Sequence, residues 1–377
     1  MRWCKKCLEP DTRPDCVFDD EGVCFPCKVY ENVSEIDWQA RRQELEKIAR
    51  WAKSNRNRQR SCYDVIIPVS GGKDSLRQSL YAREELSLRP LLLTLAYPPE
   101  QQTKLGADNL ANLIGLGFDC FYISPAPEVW RRMVRFAFME YGNWCVATEL
   151  ALHSAAPKVG ILYDIPLIIY GENYALTWGG DSSIGLDGDA NRMKYSHTLK
   201  GGDVEPFLQR ECSDDLLYWH RYPGDDLIKR SELRMIFLGY YLRDFNDLTN
   251  GKLAIQRGLQ QRTGEDAILE DIGQTRTDDA LDDDFVIINQ MVKYFKFGFG
   301  KASEQLSLMV RLGAISRDKA LVLSRRLDGK CAPRYIKRFC NYIGITEEEF
   351  WVVADSYRNP EIWERCDDRW ILKEQPR

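Results

Sequence analysis

The chemistry legible in this sequence concentrates in one stretch, Pro68-Val69-Ser70-Gly71-Gly72-Lys73-Asp74-Ser75. It lies between an apolar run (63–69) that reads as a buried strand and a helical pattern from 73 to about 85. Two adjacent glycines let the chain turn sharply and approach a ligand with no Cβ in the way. The amides of Gly71, Gly72 and Lys73 can then converge at a helix N-terminus, which suits a phosphate. Ser70 and Ser75 add hydroxyl donors, Lys73 a positive charge, and Asp74 a carboxylate able to hold a cation. The stretch reads as a seat for nucleotide phosphates. It is not the G-x-x-x-x-G-K-[ST] loop, and no G-x-G-x-x-G follows the first strand.

A second set is Cys4-Lys5-Lys6-Cys7 with Cys24-Phe25-Pro26-Cys27, sixteen residues apart (8–23). That spacing is expected of a zinc ribbon. Four thiolates suit tetrahedral Zn2+, and a closed set of four leaves no open catalytic position. About thirty residues cannot build a core alone, so the metal is read as structural. The competing reading is four unrelated core thiols, with Cys16 a bystander.

Two further stretches carry polar groups to places where they can act. Gly171-Glu172-Asn173 follows the expected fourth strand, so Glu172 can hold Mg2+ beside the phosphates, unless it is a plain strand-to-loop turn. In Lys296-Phe297-Gly298-Phe299-Gly300-Lys301, two glycines among aromatic and basic residues can bring backbone and cations to an anionic substrate; packing against the sheet is the alternative. Asn173, Lys296 and Lys301 are assigned to the substrate.

The elements that must position these groups alternate. Strands are expected at 65–69, 91–95, 120–123 and 166–170, and helices at 73–85, 103–113, 127–140 and 147–161. Continuous apolar strands between amphipathic helices predict an α/β fold, a parallel sheet with helices on both faces. Ligands then sit beyond the carboxyl ends of the strands, where the glycine stretch lies. A connecting helix over 34–55 takes Ser34 as N-cap, and the basic run 56–60 follows it. Residues 179–202 read as a long flexible loop, 278–284 as an acidic loop, and the last third as mainly helical. The expected division is 1–33 ribbon, 34–60 connecting helix and linker, 61–250 nucleotide-binding domain and 251–377 helical domain.

Composition narrows the setting. The chain has 377 residues, 44% hydrophobic and 29% charged, as in soluble globular proteins. No apolar run is long enough for a membrane span. The first residues form no apolar signal region, and twelve cysteines then point to a reducing cytoplasm. A net charge of −5 argues against a broad nucleic-acid surface.

The form S-G-G-x-D-S after a buried strand resembles the PP-loop of the ATP pyrophosphatase superfamily. The resemblance implies that Ser70, Gly71, Gly72, Lys73, Asp74 and Ser75 bind ATP, with Thr94 and Tyr97 toward the adenosine. It also implies Mg2+ nearby, and Asp74, Lys73 and Glu172 as the catalytic set. Such enzymes transfer AMP to an acceptor oxygen, release pyrophosphate, and let a nitrogen or sulfur nucleophile displace AMP.

Over nearly its whole length the chain is similar to the N-acetyl sugar amidotransferases of bacterial surface-polysaccharide (LPS O-antigen) biosynthesis. The likeness rests on the cysteine pairs, the S-G-G-K-D-S loop, Gly171-Glu172-Asn173 and F-G-F-G-K-A-S-E-Q at 297–305. It implies an acetamido nucleotide-sugar as substrate, converted to an acetamidino sugar. It also implies two partners, a glutaminase subunit and a barrel-type subunit similar to the two parts of imidazole glycerol phosphate synthase. The sequence agrees with outside ammonia: position 2 is Arg2, no Gly-x-Cys-x-Gly occurs, and the histidines are His153, His197 and His220.

Two rivals remain. One is a PP-loop tRNA thiolase, for which Cys145 lies in the right region without a second cysteine close by; Cys145 reads as buried. The other is a nucleotide-binding module without turnover.

Overall fold

The computed structural model describes residues 1–375 except 58, 59, 180, 181, 197, 203, 209–213 and 368. Its centre is a five-stranded sheet of β1 (Val65–Pro68), β2 (Pro90–Leu95), β3 (Asp119–Ile123), β4 (Leu167–Tyr170) and β5 (Arg234–Phe237). The order is β3-β2-β1-β4-β5 and every pairing is parallel. The near-continuous apolar sequences of β1, β2 and β4 follow from cover on both faces. Alternate side chains serve alternate faces. Val65 and Ile67 pack with Leu45, Leu76 and Leu110, whereas Ile66 packs with Trp130, Ala151 and Ala155. After the short helix α1 (Phe25–Glu31) of the cysteine module, the first group comes from α2 (Trp38–Asn55), α3 (Lys73–Leu80) and α4 (Lys104–Gly115). The second comes from α5 (Pro127–Tyr141) and α6 (Cys145–Leu162).

The strand order reverses between β1 and β4, because β2 and β3 lie on one side of β1 and β4 and β5 on the other. A crevice forms at such a switch point, beyond the carboxyl ends of the strands. The loop after β1 and Glu172 after β4 flank it.

Several expectations need correction. Asp37, not Ser34, caps α2, its carboxylate accepting from the Ala40 amide at 2.9 Å. Ile36 is extended and ends a separate 3-10 turn, Asn32–Glu35, so Ser34 stands outside the helix. The helix expected over 73–85 ends at Leu80 and continues as a wider turn, Tyr81–Glu85. β5 is new: its four residues, RMIF, sit in a stretch whose apolar content reads as helix. The described part of 179–202 is packed, not an open loop. Ile184, Ala190, Met193 and Leu199 are buried, and the Ala190 amide donates to the Met235 carbonyl; residues 180, 181 and 197 lie outside the described set, as do 58 and 59 of the basic run.

The helix Asp247–Gln256 runs across position 250 and packs on α3. The C-terminal part contains the helices Phe285–Phe297, Lys301–Arg311, Arg317–Leu327, Pro333–Ile343 and Glu347–Ser356. An antiparallel hairpin of Trp363–Cys366 and Arg369–Leu372, unread in the sequence, follows them.

Candidate nucleotide site and metal centre

The two glycines of the loop do different work. Gly71 has φ +85°, and a Cβ there would stand 2.6 Å from the Leu110 backbone nitrogen on α4. The fold itself demands a glycine at this position. Gly72 is the N-cap of α3 in extended conformation, and an added Cβ would meet only the Ser70 hydroxyl, at 3.5 Å. Space is therefore open beside Gly72. No side chain caps α3, which leaves its first amides for a ligand. Ser70 is exposed, and the Ser75 hydroxyl donates to the Gly72 carbonyl at 3.0 Å.

Lys73 turns inward. Its ammonium lies 3.1 Å from Asp74 Oδ2, 3.3 Å from Asp247 Oδ1 and 3.0 Å from Asp279 Oδ1. Burial opposes its charge, but Asp247, Asp279 and Asp74 outweigh that and hold its pKa well above the usual lysine value. An anion at this helix start would therefore meet backbone amides and hydroxyls, with Lys73 held behind them by its three aspartates. Asp74 Oδ1 accepts from Asn250 Nδ2 at 2.8 Å. Asp279 also pairs with Lys301 at 2.9 Å and accepts from Gln305 Nε2 at 3.0 Å. Burial raises the Asp279 carboxyl, yet Lys301 and Lys73 carry it well below the ordinary range.

Glu172 accepts from Trp178 Nε1 at 3.1 Å. Burial, followed by the Asp247 and Asp74 carboxylates, pushes its carboxyl up to about 8. A cation arriving here would favour its ionised form. The loop carboxylates do not form a tight ligand cage: among the described residues, the only group of three or more metal-capable side chains within 4.8 Å is cysteine. One or two carboxylates beside nucleotide phosphates fit Mg2+, which keeps much of its water.

The structure therefore gathers Ser70–Ser75, Glu172 and Lys301 around one crevice. The other assigned residues are held differently. Asn173 is buried, accepts from the Ala175 amide, and donates to the Gly185 and Asp187 carbonyls, so its polar atoms hold a helix start and a loop. Thr94 is buried within β2, and the ring of Tyr97 packs edge-on to Trp130. Lys296 donates to the Tyr141 carbonyl at 2.7 Å and lines a separate cavity. Burial, then Glu149 and Asp283, raises the Cys145 thiol well above its usual pKa, which disfavours a thiolate. Asp247, Asn250 and Asp279 went unread. Asp279 stood in the noted acidic stretch, but no local pattern ties it to a loop two hundred residues earlier.

The cysteines converge completely. Their four buried sulfurs lie within 4.8 Å of one another, with Cys4–Cys27 at 3.9 Å and Cys7–Cys24 at 3.5 Å. A tetrahedral four-thiolate metal with bonds of about 2.3 Å sets sulfurs about 3.8 Å apart. The Lys6 and Cys24 amides point at Cys4 Sγ (3.4 and 3.3 Å), and the Glu9 amide at Cys7 Sγ (3.4 Å). Arg311 approaches Cys7 Sγ at 3.5 Å, and Arg317 donates to the Cys7 and Cys4 carbonyls. The donor set fits a metal, and the module is docked on the C-terminal helices through Leu8, which packs with Leu306 and Leu321.

Residues 280–377 match the family described as LPS biosynthesis protein WbpG-like, C-terminal domain. No curated protein sequence matches. Among solved structures, the U34-tRNA thiolase NcsA from Methanococcus maripaludis with its [4Fe-4S] cluster aligns at 11% identity and TM-score 0.32, over 83% of this chain and 88% of that one. The NH3-dependent NAD synthetase from Campylobacter jejuni, in complex with the nitrate ion, aligns at 14% identity and TM-score 0.27, over 61% of this chain and 100% of that one. The family match is confined to residues 280–377, and it takes in the F-G-F-G-K-A-S-E-Q stretch at 297–305 on which the sequence resemblance partly rests.

Proposed function

We propose that the chain is an ATP-dependent amidotransferase acting on an acetamido nucleotide-sugar in surface-polysaccharide (LPS O-antigen) biosynthesis. One observation carries the reading: an uncapped helix start, opened by Gly72 and braced by Lys73, at the switch point of a parallel sheet. In this reading the acetamido oxygen attacks the α-phosphorus of ATP and pyrophosphate leaves. Ammonia then adds to the activated carbon, the C–O bond breaks, AMP departs with the oxygen, and a proton is lost to give the acetamidino group. The first-turn amides of α3 and the Ser70 hydroxyl would bind the departing pyrophosphate as its charge develops. Asp74 and Glu172 would hold Mg2+, whose chemistry is to neutralise the phosphates. Zn2+ in the four-cysteine site would be structural, and a glutaminase with a barrel-type subunit would deliver ammonia. We place the reaction in the cytoplasm.

The test is pyrophosphate release with ATP, ammonium and a panel of acetamido nucleotide-sugars. Sugar-dependent release is expected, and Asp74→Asn should lower it at least a hundredfold with the fold intact. Release only with tRNA and a sulfur donor would replace this reading with thiolation. ATP binding without turnover under any condition would leave a nucleotide-binding module.

A further inference from the structure

A cavity of about 550 Å³ lies beside the nucleotide crevice, and none of residues 70–75 lines it. Its walls come from four distant parts of the chain: Arg13 of the cysteine module, Tyr141 at the end of α5, Trp178 after β4, and Lys293, Lys296 and Phe299 of the C-terminal part. The volume falls within the range of about 300–1,000 Å³ typical of ligand sites. Its lining combines aromatic residues and cations with the carboxylate of Glu140, and Lys296 and Lys200 have no carboxylate partner among the described residues. Flat rings offer stacking to a base or sugar face, and unmatched ammonium groups offer charge to a diphosphate.

Two links join this cavity to the nucleotide crevice. Trp178, in its wall, donates to Glu172. Lys293 pairs with Glu304 at 2.9 Å, on the helix that carries Lys301, which pairs with Asp279 and through it with Lys73. Arg13 also pairs with Glu304 and stacks 4.4 Å over the Phe299 ring, so the cysteine module forms part of the wall.

We infer that this cavity is the acceptor site, and that it takes an acetamido sugar joined to a nucleoside phosphate or diphosphate, with the cysteine module as one side of it. The assignment rests on the amidotransferase reading for its occupant, and on the cavity's own charge and shape for its place. ATP and acceptor thus have separate seats that meet at Glu172 and Trp178.

The test is calorimetric binding of UDP-, dTDP-, GDP- and CMP-linked acetamido sugars to the full chain, with a non-hydrolysable ATP analogue measured in parallel. Two variants are used, Lys296→Gln, which removes a cation, and Asn289→Trp, which fills the cavity from the helix Phe285–Phe297. At least one sugar should bind the unmodified protein, and its affinity should fall tenfold or more in either variant while the ATP analogue moves less than twofold. Metal removal should weaken the sugar more than the ATP analogue. A panel that does not bind, or affinity unchanged in both variants, overturns the assignment. Sugar binding in the cavity without sugar-dependent pyrophosphate release would keep the site and remove the reaction. Sugar-dependent release with an unmoved KM in both variants would keep the reaction and remove the site.

Discussion

The cysteine module and the nucleotide crevice are built on opposite plans. All four sulfurs of the first come from two short pairs, and the set is closed and buried. The second keeps its centre open, at Gly72, and draws its charges from afar: Asp247, Asp279 and Lys301 reach Lys73 or its partners from beyond β5. The first has a donor set that a single metal ion could close, whereas the rest of the fold holds the second. A spacing pattern can therefore announce the first site complete, while the second announces only its loop.

The largest effect that tests this contrast is loss of the metal. Structural zinc is worth about 10–16 kcal/mol in comparable peptides. Chelation or Cys24→Ser should unfold residues 1–33 and expose their amides to hydrogen exchange, while amides of the central sheet exchange as before. Purified protein without bound metal would break the comparison on this side. The next effect is on the crevice. Lys73→Met strips a cation from buried Asp247 and Asp279, and breaking such a pair costs about 3–5 kcal/mol. The loss should appear as one cooperative shift in a denaturant midpoint, because Lys73 ties α3 to distant segments.

Gly71 and Gly72 sharpen the contrast at single-atom scale. Gly71→Ala combines a left-handed backbone with a clash against α4, and should cost about 3 kcal/mol. Gly72→Ala should leave stability within about 1 kcal/mol and weaken ATP binding, since its Cβ would enter the phosphate seat. Equal stability losses in both would show that the loop has no open side.

The smallest effect is on pH dependence. In the nucleotide-free protein the Glu172 carboxyl is raised above the ordinary glutamate range to about 8, chiefly by burial, so folding favours its protonated form. Its contribution to stability is present below the unfolded value and is lost as pH rises through about 8. Urea midpoints should therefore fall between pH 5 and 8, and fall less in Glu172→Gln. An identical slope in the two proteins would remove Glu172 from the crevice's charge balance.

What the sequence disclosed follows the same division. The sheet was legible where strands were long and almost wholly apolar, as in 91–95, and failed at β5, whose four residues begin with an arginine. The loop was read from its glycines, although the turn alone could not say that Gly71 faces α4 and only Gly72 faces outward. Lys296 and Lys301, five positions apart, read as one substrate-binding group. Gly298 ends one helix with φ +76° and Gly300 begins the next, so the two lysines are sent to different places. Periodicity does not register such a redirection, because it depends on backbone angles at a helix junction.

A Cβ on Gly106 of α4 would meet the Asp282 Cα at 2.4 Å, just as one on Gly71 would meet Leu110 on the same helix. The loop thus presses on α4, α4 presses on the acidic stretch, and that stretch returns Asp279 to Lys73. The circuit straddles the start of the matched C-terminal domain at residue 280. That domain cannot be exchanged between relatives as a detachable cassette with a joint at its own edge. A working chimera would have to carry the acidic stretch and α4 together, so the two halves of the chain are bound to vary in step.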